Sequence, residues 1–380
     1  MGGKIVDYHK IAVGACEKIE EAAEQFCVAG KPSECGRYGN GHINDTFLLC
    51  TKDGEQDHQY ILQRMNTHVF KDPEGLMRNV SGVTTYLRDQ IVKAGGDAQR
   101  ETLTLVKTKA GKDYYVDSLG SWWRMYLFIT DATGYDTVEN EEDFYQSAKA
   151  FGHFQRLLDQ YPVSLLTETI PDFHNTPKRF EAFCKAVDRD VCGRVGDVGR
   201  EIAFVMDRKD EMSIVVDKLN SGEIPYRVTH NDTKLNNVLL DNQSRQAVCV
   251  IDLDTVMPGT AIFDFGDSIR FGANTAEEDE KNLNKVSLSL SLYEAYTKGF
   301  LEGCAGRLTD AEISLLPWGA KLMTLECGMR FLTDYLEGDK YFRIHRPEHN
   351  LDRARTQFAL VADMERKWGE MKRLAEKRYL

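Results

Sequence analysis

Residues 228–241, VTHNDTKLNNVLLD, place a histidine, an aspartate and an asparagine at the spacing H-x-D-x-x-x-x-N. Asp232 could accept or orient the proton of a substrate hydroxyl, and the amide oxygen of Asn237 could face a metal ion. A turn and the strand AVCVI then lead to a second carboxylate, Asp252. Carboxylate and amide oxygens are the hard ligands that Mg²⁺ takes beside phosphates. The joined segments therefore predict phosphoryl transfer, whereas H-x-D-x-x-x-x-N alone could be a polar loop before a hairpin.

Other charged residues take supporting roles in this prediction. Lys234 could reach the transferring phosphoryl group, so it is predicted as a second catalytic residue. The later segment FDFGD contains the D-F-G triplet that carries a metal-binding aspartate in protein kinases. However, MPGTAIF separates its Asp264 from the strand that ends at Asp252. We therefore expect Asp252 to bind the metal with Asp254 beside it, and Asp264 or Asp267 to brace the catalytic loop by hydrogen bonds.

The N-terminal third of the chain offers candidates for binding a nucleotide. In YGNGHIND, Gly39 and Gly41 could bring backbone N–H groups close to phosphates, although Gly-Asn-Gly also makes an ordinary turn. The strand YILQRM carries Arg64 where protein kinases carry a phosphate-contacting lysine, with Gln63 as the alternative. Arginine is permanently charged and grips phosphate with two N–H groups, so the exchange is chemically sound. Its acidic partner is less clear, and Glu74 is the best candidate.

The order of predicted elements gives the fold class. Strand, strand, helix, strand, strand describes the first part, and a linker beginning near Leu127 and Thr130 would border an adenine through main-chain groups. Most of the remainder has helical periodicity. We predict an α+β, protein-kinase-like fold of two lobes: a small antiparallel-sheet lobe at 1–127 that binds the nucleotide, and a larger, mostly helical lobe at 128–380. Helices are predicted over 11–26, 74–93, 141–159, 177–189, 200–220, 276–303, 309–336 and 350–378.

Composition excludes several classes of protein. The chain has 380 residues and a net charge of -12, which argues against binding nucleic acid or an anionic membrane. No apolar run is long enough to cross a bilayer, and the N-terminal MGGKIVDYHK lacks the apolar region of a secretory signal. Nine cysteines without a C-x-x-C pair indicate reduced thiols. We expect a cytoplasmic protein that acts on a small molecule, and its oligomeric state stays open.

Taken together, the motifs resemble a known family. H-N-D-T-K-x-N-N, V-I-D-x-D and the later F-D-F-G-D resemble the aminoglycoside phosphotransferase and choline kinase superfamily. GRYGNGHINDTF, YILQRMN, EGLMRNV, PDFHNTPKRF and VIDLDTVMPGT are similar to the N-acetylhexosamine 1-kinases, from about residue 36 to 272. The resemblance implies ATP and Mg²⁺ as cofactors and the anomeric hydroxyl of GlcNAc or GalNAc as acceptor. It implies Asp232 as the catalytic base and Asn237 and Asp252 as metal ligands.

The resemblance and the residue types together suggest contacts to the acceptor. Guanidinium groups suit hydroxyl and acyl oxygens, and flat rings suit a pyranose face. Candidate residues for binding the sugar are His42, Asn44, His174, Arg330, Tyr335 and His345. A purely local role, in a turn or at a helix end, is the alternative for each of them.

Three other functions remain to be compared with a sugar kinase. Choline, ethanolamine or an aminoglycoside would need an acidic or aromatic cage, whereas residues 316–360 hold 7 basic and 6 acidic side chains. A non-catalytic kinase-like binding protein should lack Asp232, Asn237 or Asp252, and all three are present. A protein kinase should carry an A-P-E segment after the metal-binding aspartate, which is missing at a suitable distance.

Overall fold

The structure is a computed structural model that describes residues 10–11, 17–39, 43–377 and 379. The chain divides into two compact units. The first comprises Met1–Ala132, Ser164–Ile170 and Val248–Met257, and the second comprises Thr133–Val163, Pro171–Ala247 and Pro258–Leu380. Strands and helices are numbered below in chain order.

The first unit is built on an antiparallel sheet of six strands in the order β1-β2-β3-β4-β6-β5. The predicted hairpin at DGEQD is present between β3 and β4. Opposed residues of antiparallel strands share a face, so the register gives one row of Thr46, Gln63 and Arg124, and a second row of Asp45, Arg64 and Trp123. The strands are β1 (Lys10–Ile11), β2 (Lys31–Arg37), β3 (Asp45–Asp53), β4 (Gln56–Met65), β5 (Tyr115–Val116) and β6 (Trp122–Leu127).

Two helices accompany this sheet. Helix α1 (Glu17–Gln25) buries Ala22 and contributes to a core with Phe47 and Trp123, on the face of the Asp45–Arg64–Trp123 row. Helix α2 (Pro73–Lys93) begins where the Asp72 side chain accepts a hydrogen bond from Gly75 N, and its first residue is a proline that needs no such partner. The predicted helix at 74–93 is thus confirmed.

The second unit is mostly helical, and its long helix α9 (Asp310–Glu337) is central to it. A capping box of Thr309 and Glu312 starts α9, and Gly338 with φ of 97° ends it. Leu332 of α9 packs with Phe183 and Phe358 in the main core. The other helices are α3 (Glu141–Leu157), α4 (Thr176–Arg189), α5 (Gly199–Met206), α6 (Ile214–Asn220), α7 (Ala261–Gly272), α8 (Leu290–Cys304), α10 (His349–Arg366) and α11 (Trp368–Ala375).

Short strands carry the predicted catalytic segments. They are β7 (Ala132–Thr133), β8 (Arg227–Thr229), β9 (Val238–Asp241), β10 (Ala247–Val250) and β11 (Met257–Gly259). Helix α7 packs on α9 through glycines: a Cβ on Gly266 would lie 2.2 Å from the carbonyl oxygen of Gly319. The backbones of the two helices therefore touch without intervening side chains, which fixes α7 firmly.

The predicted fold class is confirmed, with corrections to four helices. The helix predicted at 11–26 begins at Glu17, since Ile11 belongs to β1, and residues 12–16 lie outside the described part of the chain. The region 276–303 is helical only from Leu290, because Ser289 caps the helix by accepting from Leu292 N. The predicted helix at 200–220 is two helices separated by the turn Lys209–Glu211, and that at 350–378 ends and restarts at Lys367. Among the helices of the described residues, none combines the length and apolar character that crossing a membrane requires.

Candidate active site

The predicted catalytic loop follows β8 and is held by a carboxylate from α7. Asp264 is fully buried and accepts hydrogen bonds from His230 N at 2.9 Å, Asn231 N at 2.8 Å and Gln155 Nε2 at 2.8 Å. Burial raises the pKa of Asp264, although these three N–H donors oppose the shift. The main-chain shape of the loop is thus set by a side chain of α7.

A second carboxylate of α7 holds the next part of the loop. Asp267 accepts from Thr233 N at 3.0 Å and pairs with Arg270 at 2.8 Å. Burial would raise the pKa of Asp267, but the charge of Arg270 holds it below the ordinary value. The prediction that these two aspartates brace the loop by hydrogen bonds is confirmed. Asp264, the aspartate of the D-F-G triplet, thus has a structural role in holding this loop.

Asp232 lies at the surface of this braced loop beside two predicted site residues. Its Oδ2 is 3.1 Å from Lys234 Nζ, and the two side chains are about one-third exposed, at 30% and 33%. Asn237 Nδ2 donates to Asp232 O at 2.7 Å and to Asp232 Oδ2 at 3.1 Å. Because a carbonyl oxygen can only accept, the amide orientation of Asn237 is fixed and its Oδ1 is turned away from Asp232. That oxygen is the donor type that Mg²⁺ prefers.

His174, a predicted sugar contact, lies next to the catalytic loop. Its Nε2 is 3.3 Å from the main-chain oxygen of Asn231, and its Nδ1 is 3.1 Å from Glu326 Oε1. Thr176 Oγ1 donates to the other oxygen of Glu326 at 2.7 Å. Burial would raise the pKa of Glu326, but His174, Arg330 and Thr176 together lower it. This buried carboxylate therefore stays ionised, with its oxygens held by partners of the same unit.

Arg330 lies near the same group among aromatic rings. Its guanidinium carbon is 5.8 Å from the centroid of Phe173, 5.8 Å from Tyr341 and 5.5 Å from Phe342. Asp334, one turn further along α9, accepts from the main-chain N of 340, 341 and 342 and so places the last two rings. Such rings stabilise a guanidinium without neutralising it.

A second arginine near Arg330 was not predicted. Arg179 donates through Nη2 to Phe173 O at 3.0 Å, and its buried Nε has no hydrogen-bond partner in the described part of the chain. Burial and the charge of Arg330 lower the pKa of Arg179. Two guanidinium groups thus lie near Phe173 and His174. His174 in turn lies beside Asn231, the residue that immediately precedes Asp232.

Two other predicted sugar contacts lie elsewhere in the second unit. Tyr335 is buried in the helical core, 5% exposed, with the guanidinium of Arg194 4.5 Å from its ring centroid. His345 is exposed and its ring lies 5.7 Å from that of His349. The structure does not bring either residue to His174.

The predicted nucleotide turn of the first unit is described only in part. Gly39 has a φ of 73°, a value that glycine adopts without strain, whereas Gly41 and His42 lie outside the described residues. Asn44 donates through Nδ2 to Asp254 Oδ2 at 2.6 Å and accepts from Asn66 N at 3.0 Å. Both ends of its amide are therefore occupied within the unit.

Asp252 begins a tight turn in the same unit. It has φ of 59° and ψ of 60°, a left-handed conformation that aspartate tolerates better than most residues, and it is exposed. Leu253 in the following turn is buried, and Asn79 Nδ2 of α2 donates to Val256 O at 2.9 Å. The turn is thus held in the unit by its backbone and by Leu253, while Asp252 itself is exposed.

The two predicted phosphate contacts, Arg64 and Gln63, lie on opposite faces of the sheet. Arg64 pairs with Asp45 on the α1 side, with its Nε 3.0 Å from Asp45 Oδ2. Gln63 lies in the other row, where its Nε2 donates to Thr46 Oγ1 at 3.0 Å and its Oε1 accepts from Arg124 Nε at 2.9 Å. Gln63 therefore shares a face with Arg124, and Arg64 lies on the opposite face.

Arg124 and Asp254 form the buried ion pair of this second face. Nη1 of Arg124 lies 2.5 Å from Oδ1 of Asp254, and the side chains are only 1% and 4% exposed. Burial would lower the pKa of Arg124, but the Asp254 carboxylate keeps it raised. The pair was missed at the sequence level, although a lone arginine in the apolar strand SWWRMYL required a buried partner.

The linker's main chain is partly committed to other contacts. Leu127 N donates to Thr104 O at 3.0 Å, and Phe128 N donates to Gln59 O at 3.1 Å. Thr130 O accepts from Arg100 Nη1 at 2.5 Å. An adenine bordering this linker would thus have to use main-chain groups other than these three.

Comparisons with known proteins agree with the fold of this chain. The sequence model of the phosphotransferase enzyme family matches residues 34–285. A microcompartment-associated aminopropanol kinase is 17% identical, with a TM-score of 0.62 over 94% of this chain and 98% of that one. An aminoglycoside phosphotransferase from Alicyclobacillus acidocaldarius is 13% identical, with a TM-score of 0.59 over 94% and 96%. A spectinomycin phosphotransferase in complex with ADP and spectinomycin is 15% identical, with a TM-score of 0.53 over 87% and 93%.

Proposed function

Since this chain belongs to the phosphotransferase enzyme family, we propose that it is a small-molecule kinase that transfers the γ-phosphoryl group of ATP to a sugar hydroxyl. The acceptor we propose is the anomeric hydroxyl of GlcNAc or GalNAc. The observation that carries the proposal is the braced loop on which Asp232, Lys234 and Asn237 converge. A cytoplasmic location belongs to the same proposal, because the nine cysteines of the sequence include no C-x-x-C pair and so favour reduced thiols.

The proposed reaction assigns one task to each residue of the loop. Asp232 accepts the proton of the acceptor hydroxyl as its oxygen bonds to the γ-phosphorus, and the bond from that phosphorus to the bridging oxygen of ADP breaks. Lys234 places a positive charge beside this carboxylate and could neutralise charge on the transferring group. Because Asp264 fixes the backbone on the N-terminal side of Asp232, the base is preorganised.

The residues also fit the metal that the family implies. Asn237 Oδ1 and the exposed carboxylate of Asp252 are hard oxygen donors, and we propose that they hold Mg²⁺. When bound, Mg²⁺ neutralises phosphate charge during transfer. We propose that Gly39, Gly41, Leu127 and Thr130 contact the nucleotide. Arg64 stays a prediction, since Asp45 engages its charge on the opposite face of the sheet from Gln63.

The acceptor assignment rests on the charge around His174. Arg330 and Arg179 contribute two positive charges against the one negative charge of the buried Glu326, which accepts a hydrogen bond from Thr176 and lies beside His174. A cationic acceptor would meet repulsion there, whereas hydroxyl and acyl oxygens accept from guanidinium groups. His42, Asn44, Tyr335 and His345 stay predictions as sugar contacts.

The alternative is the same chemistry on a cationic alcohol such as choline, ethanolamine or an aminoglycoside. The names of the similar structures favour it, since they include an aminopropanol kinase and an aminoglycoside phosphotransferase. Those likenesses, at 17% and 13% identity, establish the fold and leave the acceptor to experiment.

The test is ADP release with ATP and Mg²⁺ against GlcNAc, GalNAc, glucose, galactose, choline and kanamycin. We expect turnover on the acetylated sugars, with phosphorus NMR locating the phosphate at the anomeric position. Asp232→Asn should reduce kcat by about 10²–10⁴-fold. Lys234→Met should also lower kcat, whereas Lys209→Met, at the short turn Lys209–Glu211 of the same unit, serves as the matched control. Turnover on the cations alone would replace the sugar assignment with the alternative.

A further inference from the structure

Every polar group of Thr233, the residue between Asp232 and Lys234, is held by helix α7. Its N–H donates to Asp267 Oδ2 at 3.0 Å, and its hydroxyl donates to a main-chain oxygen of the same helix at 2.5 Å. Its carbonyl oxygen accepts from Ser268 Oγ at 2.6 Å. Because a peptide unit is planar, the direction of this carbonyl fixes the orientation of the peptide that leads into Lys234.

The hydroxyl of Ser268 is itself held by a tyrosine of another helix. Tyr296 OH of α8 lies 2.5 Å from Ser268 Oγ. A carbonyl oxygen can only accept, so the single proton of Ser268 faces Thr233 O, and Tyr296 must donate the second hydrogen bond. Burial raises the pKa of Tyr296 well above its ordinary value, so the hydroxyl keeps the proton that it donates. Two hydrogen bonds in series thus run from α8 through α7 to the carbonyl before Lys234.

Packing fixes the ring that carries this hydroxyl. The ring of Tyr296 is fully buried, with its centroid 4.6 Å from that of Phe144 of α3 and 5.7 Å from that of Phe265 of α7. Tyr293, three residues earlier on α8, is equally buried, and its ring lies 5.8 Å from that of Phe265. Among the described residues, however, its hydroxyl is hydrogen-bonded neither to Ser268 nor to the catalytic loop. The two tyrosines therefore share burial and packing and differ in their contact with Ser268.

We infer that Ser268 and Tyr296 are positioning residues that hold Lys234 in place for phosphoryl transfer. They fix the carbonyl of Thr233, and the peptide that begins with this carbonyl carries Lys234, whose Nζ lies 3.1 Å from Asp232 Oδ2. The two aspartates of α7 hold N–H groups of the loop instead, so the roles are separate. The inference rests on the proposed function, since it takes Lys234 to neutralise charge on the transferring group.

The experiment is a double-mutant cycle in kcat, measured as ADP release on the acceptor of the panel above that the wild-type protein uses. Tyr296→Phe should lower kcat by about two- to tenfold, the fold-change to which one neutral hydrogen bond corresponds. In a Lys234→Met background the same change should have no further effect, because the group that it positions is gone. Tyr293→Phe, matched in burial and in its contact with Phe265, should leave kcat unchanged in both backgrounds.

A second variant removes the other hydroxyl of the series. Ser268→Ala leaves the buried oxygen of Thr233 without its side-chain donor, so kcat should fall by about fivefold or more. Adding Tyr296→Phe to Ser268→Ala should lower kcat no further, since the tyrosine acts through the serine. Circular dichroism identifies a variant that has lost its fold, and if Ser268→Ala is one, the cycle between Tyr296 and Lys234 decides the inference.

The outcomes separate the inference from the proposed function. An unchanged kcat in Tyr296→Phe would overturn the inference. An equal fold-loss with and without Lys234 would also overturn it, since a merely structural role of the tyrosine predicts that pattern. A full kcat in Lys234→Met would remove the group to be positioned, yet leave Asp232 as the base. A wild-type protein without turnover on any acceptor would overturn the proposed function, and the inference with it.

Discussion

Removing the charge of Asp254 should destabilise the first unit strongly. Asp254→Asn keeps the size of the side chain but leaves the Arg124 guanidinium, 1% exposed, without its counter-ion. Breaking a buried pair in this way costs about 3–5 kcal/mol, because the remaining charge stays desolvated. The variant also exchanges a charged hydrogen bond with Asn44 for a neutral one. A loss of about 1 kcal/mol lowers the midpoint temperature of thermal unfolding by about 2–4 °C for a unit of this size. The midpoint temperature should therefore fall by roughly 6–20 °C.

A double-mutant cycle tests the reasoning more sharply than the single change. Arg124→Met should also be destabilising, since it leaves the Asp254 carboxylate buried. Combining Arg124→Met with Asp254→Asn removes both charges, so the double variant should lose much less than the sum of the two. The assay is urea unfolding followed by tryptophan fluorescence, because Trp122 and Trp123 precede Arg124 on β6.

The control is an ion pair of the same unit that stays in contact with water. Lys107 pairs with Asp113 at 2.6 Å, but the lysine is 56% exposed, so Lys107→Met should change the free energy of unfolding by no more than about 1 kcal/mol. The reasoning is refuted if Asp254→Asn costs no more than this control, or if the two single changes at the buried pair are additive.

Three further predictions concern the second unit. Asp264→Asn should lower kcat by about tenfold or more. Its side-chain amide has only one oxygen, so it can accept a hydrogen bond from only one of the two loop N–H groups that donate to the two oxygens of Asp264. Each of these hydrogen bonds to a charged acceptor contributes ~1.5–3 kcal/mol. Burial and the nearby charges of Arg156 and Lys149 lower the pKa of His153 to about 4. On acidification the unfolded chain therefore binds a proton at His153 before the folded chain does, so the free energy of unfolding falls between pH 6.5 and pH 4. His153→Gln should remove this fall, which amounts to at most about 1.4 kcal/mol per pH unit. Gly266→Ala should cost about 1–3 kcal/mol or more, since its Cβ would meet Gly319 O at 2.2 Å.

Each of these predictions has its own check. Steady-state kinetics and circular dichroism together test the Asp264 variant, and an unfolded protein or an unchanged kcat would contradict a positioning role. Urea unfolding at pH 7 and pH 5 tests His153→Gln, and equal pH dependence in the variant and the wild-type protein would contradict the expected loss of stability on acidification. Gly196→Ala is the control for Gly266→Ala, because a Cβ at Gly196 meets no atom within 4 Å.

The catalytic loop was predictable because its signals are local. The spacing from Asp232 to Asn237, the apolar strands on either side and the turn before Ala247 all lie within one short stretch. The bracing role of Asp264 followed from the same stretch by exclusion, since the chain between it and Asp252 is too long for a shared metal. Local spacing therefore predicted the loop of Asp232 and the two carboxylates that hold it.

Long-range packing explains what sequence reasoning missed. Nothing near Arg124 or Asp254 indicates that the two residues pair, since most of the residues between them in sequence belong to the second unit. The apolar spacing of 276–303 resembles one helix, but Asp363 accepts from Leu288 N and holds the preceding segment in a non-helical path. Tertiary contacts decided those features, and periodicity does not encode them.

If the acceptor binds beside His174, as proposed, helix α9 offers a route to altered acceptor preference without altered chemistry. Its 28 residues span about 42 Å, and Glu326, Arg330 and Asp334 follow one another at four-residue steps along one side. The braces of Asp232 come from α7, so they do not depend on the side chain at position 330. A combinatorial library at Arg330 and Tyr341 would vary the surface near His174 while the loop remained intact. Divergence of acceptors within such a scaffold would need changes only on this helix and on the segment that follows it.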